Sequence, residues 1–152
     1  MAASPEDLDF AVAASLPPEV IGILAGSTIT GRLRLTSRLN PFYLQGDFDG
    51  DGSRDTAVLA KDRSTGKQGL VIVRGNGEIN VVGAGTAIGN GGDDLEWMDA
   101  WYVYRKGKVE QGAGDSAPPQ LKGDALMAIK TESSSGLVYW DGAAFRWYQQ
   151  SD

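Results

Sequence analysis

The sequence predicts an α+β fold, with short N-terminal helices packed on an antiparallel β-sheet meander. Three observations carry that expectation. Residues 1–40 contain two helix starts marked by proline and acidic residues. From Pro41 onward, short β-branched and aromatic runs are divided by Gly, Asn and Asp, which is how strands separated by turns read. Those dividers are short, and tight turns join antiparallel neighbours. A chain of 152 residues suits one domain and can bury about 70% of its unfolded surface. The expected arrangement is a single domain, 1–152, with a helical or irregular part over 1–40 and an antiparallel β part over 41–149.

Ser4-Pro5-Glu6-Asp7 opens the first expected helix, with a serine cap, proline at the first helical position and acids in the first turn. Leu16-Pro17-Pro18-Glu19 opens a second, which Val20, Ile21, Ile23 and Leu24 carry and Gly26 stops. Arg32, Arg34 and Arg38 then alternate with Leu33, Leu35 and Leu39, as in a strand or a linker with a solvated basic edge. Strands are expected near residues 42–46, 56–61, 69–74, 79–83, 97–104, 125–130, 136–140 and 144–149. Gly75-Asn76-Gly77 joins two of them, because both residues of an Asn-Gly pair tolerate positive φ. Asp141-Gly142 does the same near the C-terminus, and residues 111–122 form the one long loop expected. Ser133-Ser134-Ser135-Gly136 reads as a turn.

Composition excludes much chemistry. There is no cysteine, hence no disulfide or zinc–thiolate scaffold, and no histidine, hence no Ser-His arrangement. A formal charge of −6 opposes nucleic-acid binding, which needs a basic face to neutralise phosphates. No apolar run approaches the ~20 residues that span a bilayer, so no transmembrane segment is expected. Gly83-Ala84-Gly85-Thr86-Ala87-Ile88-Gly89 superficially echoes a dinucleotide loop, but Asn90-Gly91-Gly92-Asp93 follows where a helix is required. It reads as a flexible connection.

One segment stands apart: Gly46-Asp47-Phe48-Asp49-Gly50-Asp51-Gly52-Ser53-Arg54-Asp55. Its carboxylates fall at relative positions 1, 3, 5 and 9, a density of negative charge that is unfavourable unless a cation neutralises it. Calcium takes six to eight hard oxygen ligands, and a short loop presents them only by reversing sharply. Gly50 and Gly52 permit the reversal. The expected ligands are Asp47, Asp49, Asp51, the main-chain carbonyl of Ser53, and Asp55 as the closing residue. An EF-hand would need glutamate at position 12 and a helix after it; Val58 stands there, inside an expected strand.

The form Asp-x-Asp-Gly-Asp-Gly-x-x-Asp followed by an apolar strand resembles the calcium-binding hairpin of FG-GAP (integrin α-type) and VCBS-like repeats. The resemblance covers about residues 42–73. It implies that the three leading Asp, the position-seven carbonyl and the final Asp hold Ca2+ between two antiparallel strands. Members of that family repeat the motif around a propeller, whereas this chain carries a single copy, so neither the propeller nor an adhesion role follows. The remainder resembles small uncharacterised bacterial exported proteins ending in Tyr-Trp-Asp-Gly…Phe-Arg-Trp-Tyr-Gln-Gln.

The expectation is therefore a non-enzymatic calcium-binding module with a structural ion and a protein or glycan partner. Loops of this kind in extracellular modules bind calcium at about 0.1–1 mM, which favours an exported (periplasmic or extracellular) protein. The first ten residues carry acids where a signal peptide carries positive charge, so any signal would have been removed; a cytoplasmic site is the other reading. Two alternatives stand beside it. Asp93, Asp94, Glu96 and Asp99 form a second acidic cluster that could serve a small hydrolase or hold a second cation. A domain of this size also suits an inhibitor or immunity-type partner of a secreted protein. The aromatic C-terminal half, with Trp97, Trp101, Tyr102, Tyr104, Tyr139, Trp140, Phe145, Trp147 and Tyr148, reads as core with some rings left for a binding surface. Alternation on a strand would put Trp97, Asp99, Trp101 and Val103 on one face.

Overall fold

The computed structural model describes residue 12 and residues 14–152. The expected helix start at Ser4-Pro5-Glu6-Asp7 lies outside the described residues. Helix α1 (Pro18–Ala25) begins where the prolines place it, with Pro18 in its first turn, and its Gly26 amide donates to the Gly22 carbonyl. A single turn, α2 (Ile29–Arg32), leads directly into β1 (Leu33–Leu35). The β part therefore begins before residue 41, and the Leu/Arg alternation is a strand.

Two sheets form where a single meander was expected. The first contains β1, β2 (Tyr43–Gly46), β3 (Asp55–Asp62), β4 (Gln68–Val73) and β5 (Ile79–Gly83). The second is β6 (Ala100–Tyr104), β7 (Ala125–Lys130), β8 (Ser134–Trp140) and β9 (Phe145–Ser151), joined in sequence order. Every pairing is antiparallel. The sequence could not divide them, because both sheets are built from the same short strands.

The two sheets share a core. Ala57, Leu59, Leu70, Ile72 and Val82 of the first meet Trp101, Leu126, Ala128 and Val138 of the second. On its other side the first sheet presents Val58, Ala60, Val71 and Val73 to a cluster holding Val20 and Leu24 of α1. Strand β3 is thus apolar on both faces, which explains why residues 55–60 are all buried. Helix α1 packs against the first sheet. The outer side of the second is partly covered by Val109 and Leu121 of the long β6–β7 connection, over Met127, Leu137 and Tyr148.

Strands β1 and β2 lie end to end along one edge of β3. The Thr36 amide donates to the Leu59 carbonyl and the Leu59 amide to the Phe42 carbonyl, so residues 37–41 are an excursion from one interrupted edge strand. That excursion reaches the other sheet. Arg38 donates to the carbonyls of Met98 and Leu95, both at 2.9 Å, and Trp101 Nε1 donates to the Pro41 carbonyl at 2.8 Å. Arg38 is exposed, as expected of a solvated basic edge, and its guanidinium also donates to carbonyls of the turn that precedes β6.

Three further expectations shift. Residues 95–97 form a 3₁₀ turn instead of the start of β6, so Trp97, Met98 and Trp101 all reach the shared core despite their odd spacing. The serine run is mostly strand, since β8 starts at Ser134 and only residues 131–133 turn. Residues 84–92 are held by reciprocal amide bonds between Gly83 and Thr86 and by the Gly85 amide on the Asp93 carbonyl, which is an ordered connection and not a flexible one.

Arg38→Ala takes the guanidinium donor from the Met98 carbonyl, while the Leu95 carbonyl keeps the Met98 amide, and a buried unsatisfied group costs about 1–3 kcal/mol. A lower urea midpoint with an unchanged slope is the expected result; no change in midpoint would show that water replaces the guanidinium at no cost.

Candidate metal centre

Strands β2 and β3 pair down to Gly46 and Asp55, and residues 47–54 form the loop between them. Adjacent side chains in extended backbone point opposite ways, and the loop uses this. Phe48 inserts into the shared core at 1% exposure, while Asp47 and Asp49 turn to the other side and meet Asp55. Gly50 and Gly52 have φ of 74° and 89°, the left-handed conformation that glycine adopts without strain. Gly50 is further constrained by contact: a β-carbon there would lie 2.1 Å from the Lys122 carbonyl oxygen.

Asp47, Asp49 and Asp55 place one carboxylate oxygen each within 4.8 Å of the others. Asp55 is fully buried. Its Oδ2 accepts from the amides of Phe48 at 2.7 Å and Asp49 at 3.2 Å, and its Oδ1 from the Gly75 amide at 2.7 Å. Asp47 Oδ2 accepts from the Gly52 amide at 2.9 Å, whereas its Oδ1 is buried and has no hydrogen-bond partner. Asp49 Oδ1 accepts from the Asp51 amide at 3.2 Å, and its Oδ2 pairs with Arg74 Nε at 3.0 Å. The Arg74 guanidinium carbon sits 4.3 Å from the centre of the Trp140 ring, so a residue of the second sheet backs the one cation that, among the described residues, pairs with this group.

Two of the expected ligands stand outside the cluster. Asp51 and Ser53 are exposed, and Asp51 Oδ1 accepts from the Ser53 amide at 2.8 Å. At an effective dielectric near 20, each pair of charges about 5 Å apart repels by roughly 3 kcal/mol. Three such pairs outweigh one arginine that reaches only Asp49. Burial, reinforced by the charge of Asp49 and opposed by the three amides, pushes the Asp55 carboxyl up to about 6.

The second acidic cluster does not converge. Asp93 pairs with Lys67 at 2.6 Å, and that bond holds its carboxyl below the ordinary range. Asp94 Oδ1 accepts from the amides of Gln68 and Glu96, capping the 3₁₀ turn. Asp99 accepts from the amide and hydroxyl of Thr131, and its carboxyl is also lowered, the hydroxyl bond being the larger cause. Glu96 is exposed. Asp93, Asp94 and Asp99 each bond a different partner, and among the described residues only Asp47, Asp49 and Asp55 gather as a group fit for a metal.

No family model, curated protein or solved structure matches the chain. Its site must therefore be understood from its own geometry. Sequence reasoning missed Arg74, Gly75 and Asp124, which complete the surroundings of the loop. Gly75 already stood out as part of a turn signal; Arg74 and Asp124 carry no local signal, and Asp124 bonds to Asp47 across 77 positions of chain.

In metal-free protein, Asp55 is the carboxyl whose titration should mark the stability curve. Its folded value near 6 lies above its ordinary 3.8, so between these pH values the native state binds the extra proton. That contribution is greatest below pH 4 and is lost as pH rises through 6. Unfolding in EDTA from pH 4 to 7 should show this fall, and Asp55→Asn should flatten it. The same slope in the variant would assign the titration elsewhere.

Proposed function

We propose that the chain is a non-enzymatic, exported calcium-binding module whose Asp47–Asp55 loop holds one structural ion. The observation that carries this reading is the convergence of three carboxylates, one of which, Asp47, keeps a buried oxygen, Oδ1, without a partner. The spacing fits: two oxygens on opposite sides of an ion at 2.4 Å lie about 4.8 Å apart, matching the extent of the group. A hard dication supplies the charge that Arg74 alone does not. Calcium suits the site better than magnesium because it accepts irregular geometry and mixed carboxylate and carbonyl ligands.

In this reading Asp47, Asp49 and Asp55 are the principal ligands. The Asp51 carboxylate and the Ser53 carbonyl, at the exposed rim of the same loop, complete the set as in the FG-GAP-like hairpin. The ion locks the β2–β3 hairpin against the Gly75 turn; its role is mechanical. An exported location fits this reading, since extracellular modules of this kind bind calcium at about 0.1–1 mM.

The partner we propose is a protein segment or a glycan. A groove of about 390 Å³ beside β9, lined by Asn90, Ser116, Tyr139, Trp147, Tyr148 and Gln149, supports this. Aromatic edges beside amide groups offer both stacking and hydrogen bonds. Of the other rings, Trp101 is buried, Trp97 packs edge-on against Trp147, and Trp140 against Phe145. Tyr102, at 46% exposure, is the exposed large hydrophobic among the described residues.

Thermal unfolding in about 5 mM calcium against excess EDTA tests the ion. At 100 times Kd the native state gains about 2.7 kcal/mol, a rise of roughly 5–10 °C for a domain this size. Asp49→Ala removes a principal ligand and should abolish the increment with calcium. Equal midpoints for the parent protein with and without calcium would end this reading.

A further inference from the structure

Among the described residues, the hydrogen bonds that tie the loop of the first sheet to the segment leading into β7 run to one residue. Asp124, immediately before β7, grips Asp47 at both of its backbone polar groups. The Asp47 amide donates to Asp124 Oδ2 at 3.0 Å, and the Asp124 amide donates to the Asp47 carbonyl at 2.8 Å. The second oxygen, Asp124 Oδ1, accepts from the Lys106 amide at 2.9 Å. Its side chain is 15% exposed, and Arg105 approaches it at 3.5 Å with a guanidinium 76% exposed. An exposed pair of that length adds little, so the amide bonds define the contact.

The backbone around this grip leaves no slack. A β-carbon on Gly123 would lie 2.2 Å from the Asp47 carbonyl oxygen, and one on Gly46 would lie 3.0 Å from Asp124 Oδ2. With Gly50 against Lys122, residues 122–124 form a seat for the first half of the loop. Asp47 is also the residue whose Oδ1 stays buried and unpartnered. With both backbone groups fixed by Asp124, the direction of the Asp47 carboxylate is set across the sheet–sheet junction and not by the hairpin alone.

We infer that Asp124 is a positioning residue for the metal centre, coupling ion affinity to the docking of the second sheet. The inference rests on the calcium reading above. Asp124 reaches the ion only through Asp47, in the way that outer partners orient ligands at other metal sites, where losing one costs about 10- to 100-fold in affinity.

The test is calcium titration calorimetry on the parent chain, Asp124→Ala, Asp124→Asn and Gly123→Ala, with NMR amide exchange at Asp47 in EDTA. Asp124→Ala should bind calcium about 10- to 100-fold more weakly and lose protection of the Asp47 amide. Asp124→Asn keeps an oxygen for that amide without the charge, and should stay closer to the parent than to the alanine variant. Gly123→Ala keeps every charge and should weaken binding by displacing the Asp47 carbonyl. Parent-like affinity in Asp124→Ala would overturn the proposal. So would an asparagine variant as weak as the alanine, which would make Asp124 only a distant charge. If the parent itself gives no calcium heat, the calcium reading fails first. Amide exchange then decides the grip, which is sustained if Asp124→Ala frees Asp47 and overturned if it does not. Should the alanine chain not fold, the isosteric asparagine and Gly123→Ala carry the comparison.

Discussion

The structure around the acidic loop depends on one buried carboxylate. Asp55 ends the β2–β3 pairing and has no exposed surface, a position that water cannot serve. A carboxylate there needs donors, and three amides provide them: Phe48 and Asp49 from the loop, Gly75 from the next turn. These bonds fold the loop back over its own closing strand and tie it to the β4–β5 hairpin. They also bring Asp47 and Asp49 against Asp55, which creates the charge density that a cation relieves. The same group thus organises the loop and makes it electrostatically uncomfortable, since the backbone bonds hold like charges together.

Rigidity at that site comes from the core. Phe48, between two acids, is one of the largest fully buried side chains among the described residues. It joins Leu59, Ile72, Leu126 and Val138, and so belongs to both sheets at once. The excursion at residues 37–41 adds a second tie, because Arg38 and the Pro41 carbonyl meet groups of the opposing layer. Asp124 adds a third at the loop itself. Hydrophobic burial brings the sheets together without direction, and these polar contacts fix their register.

The remaining acids show how the same side chain serves another purpose. Asp94 caps a turn, Asp99 fastens the turn after β7, and Asp141 receives the amides of Ala143 and Ala144 with Arg146 beside it. Each is matched by local donors. Only the Asp47 group brings carboxylates together beyond what its donors satisfy. This separates it from an acidic turn, and the distinction lies in the missing partner of one oxygen more than in the number of charges.

The sequence by itself determined the local structure. Strand positions, the glycine-bearing turns, helix α1 and the Asp-rich loop are set by period-two patterning, left-handed glycines and proline placement, all of which act within a few residues. Of the expected ligands, Asp47, Asp49 and Asp55 are brought together, while Asp51 and Ser53 stay at the rim. Only the tertiary structure decided that the strands divide into two sheets, that Arg38 bonds the carbonyls of Leu95 and Met98 and that Met98 joins Trp101 in the shared core. It alone brought Arg74, Gly75 and Asp124 to the loop. The physical reason is that burial rewards apolar area without specifying which neighbour supplies it, and a hydrogen bond across 77 residues leaves no periodicity in the chain.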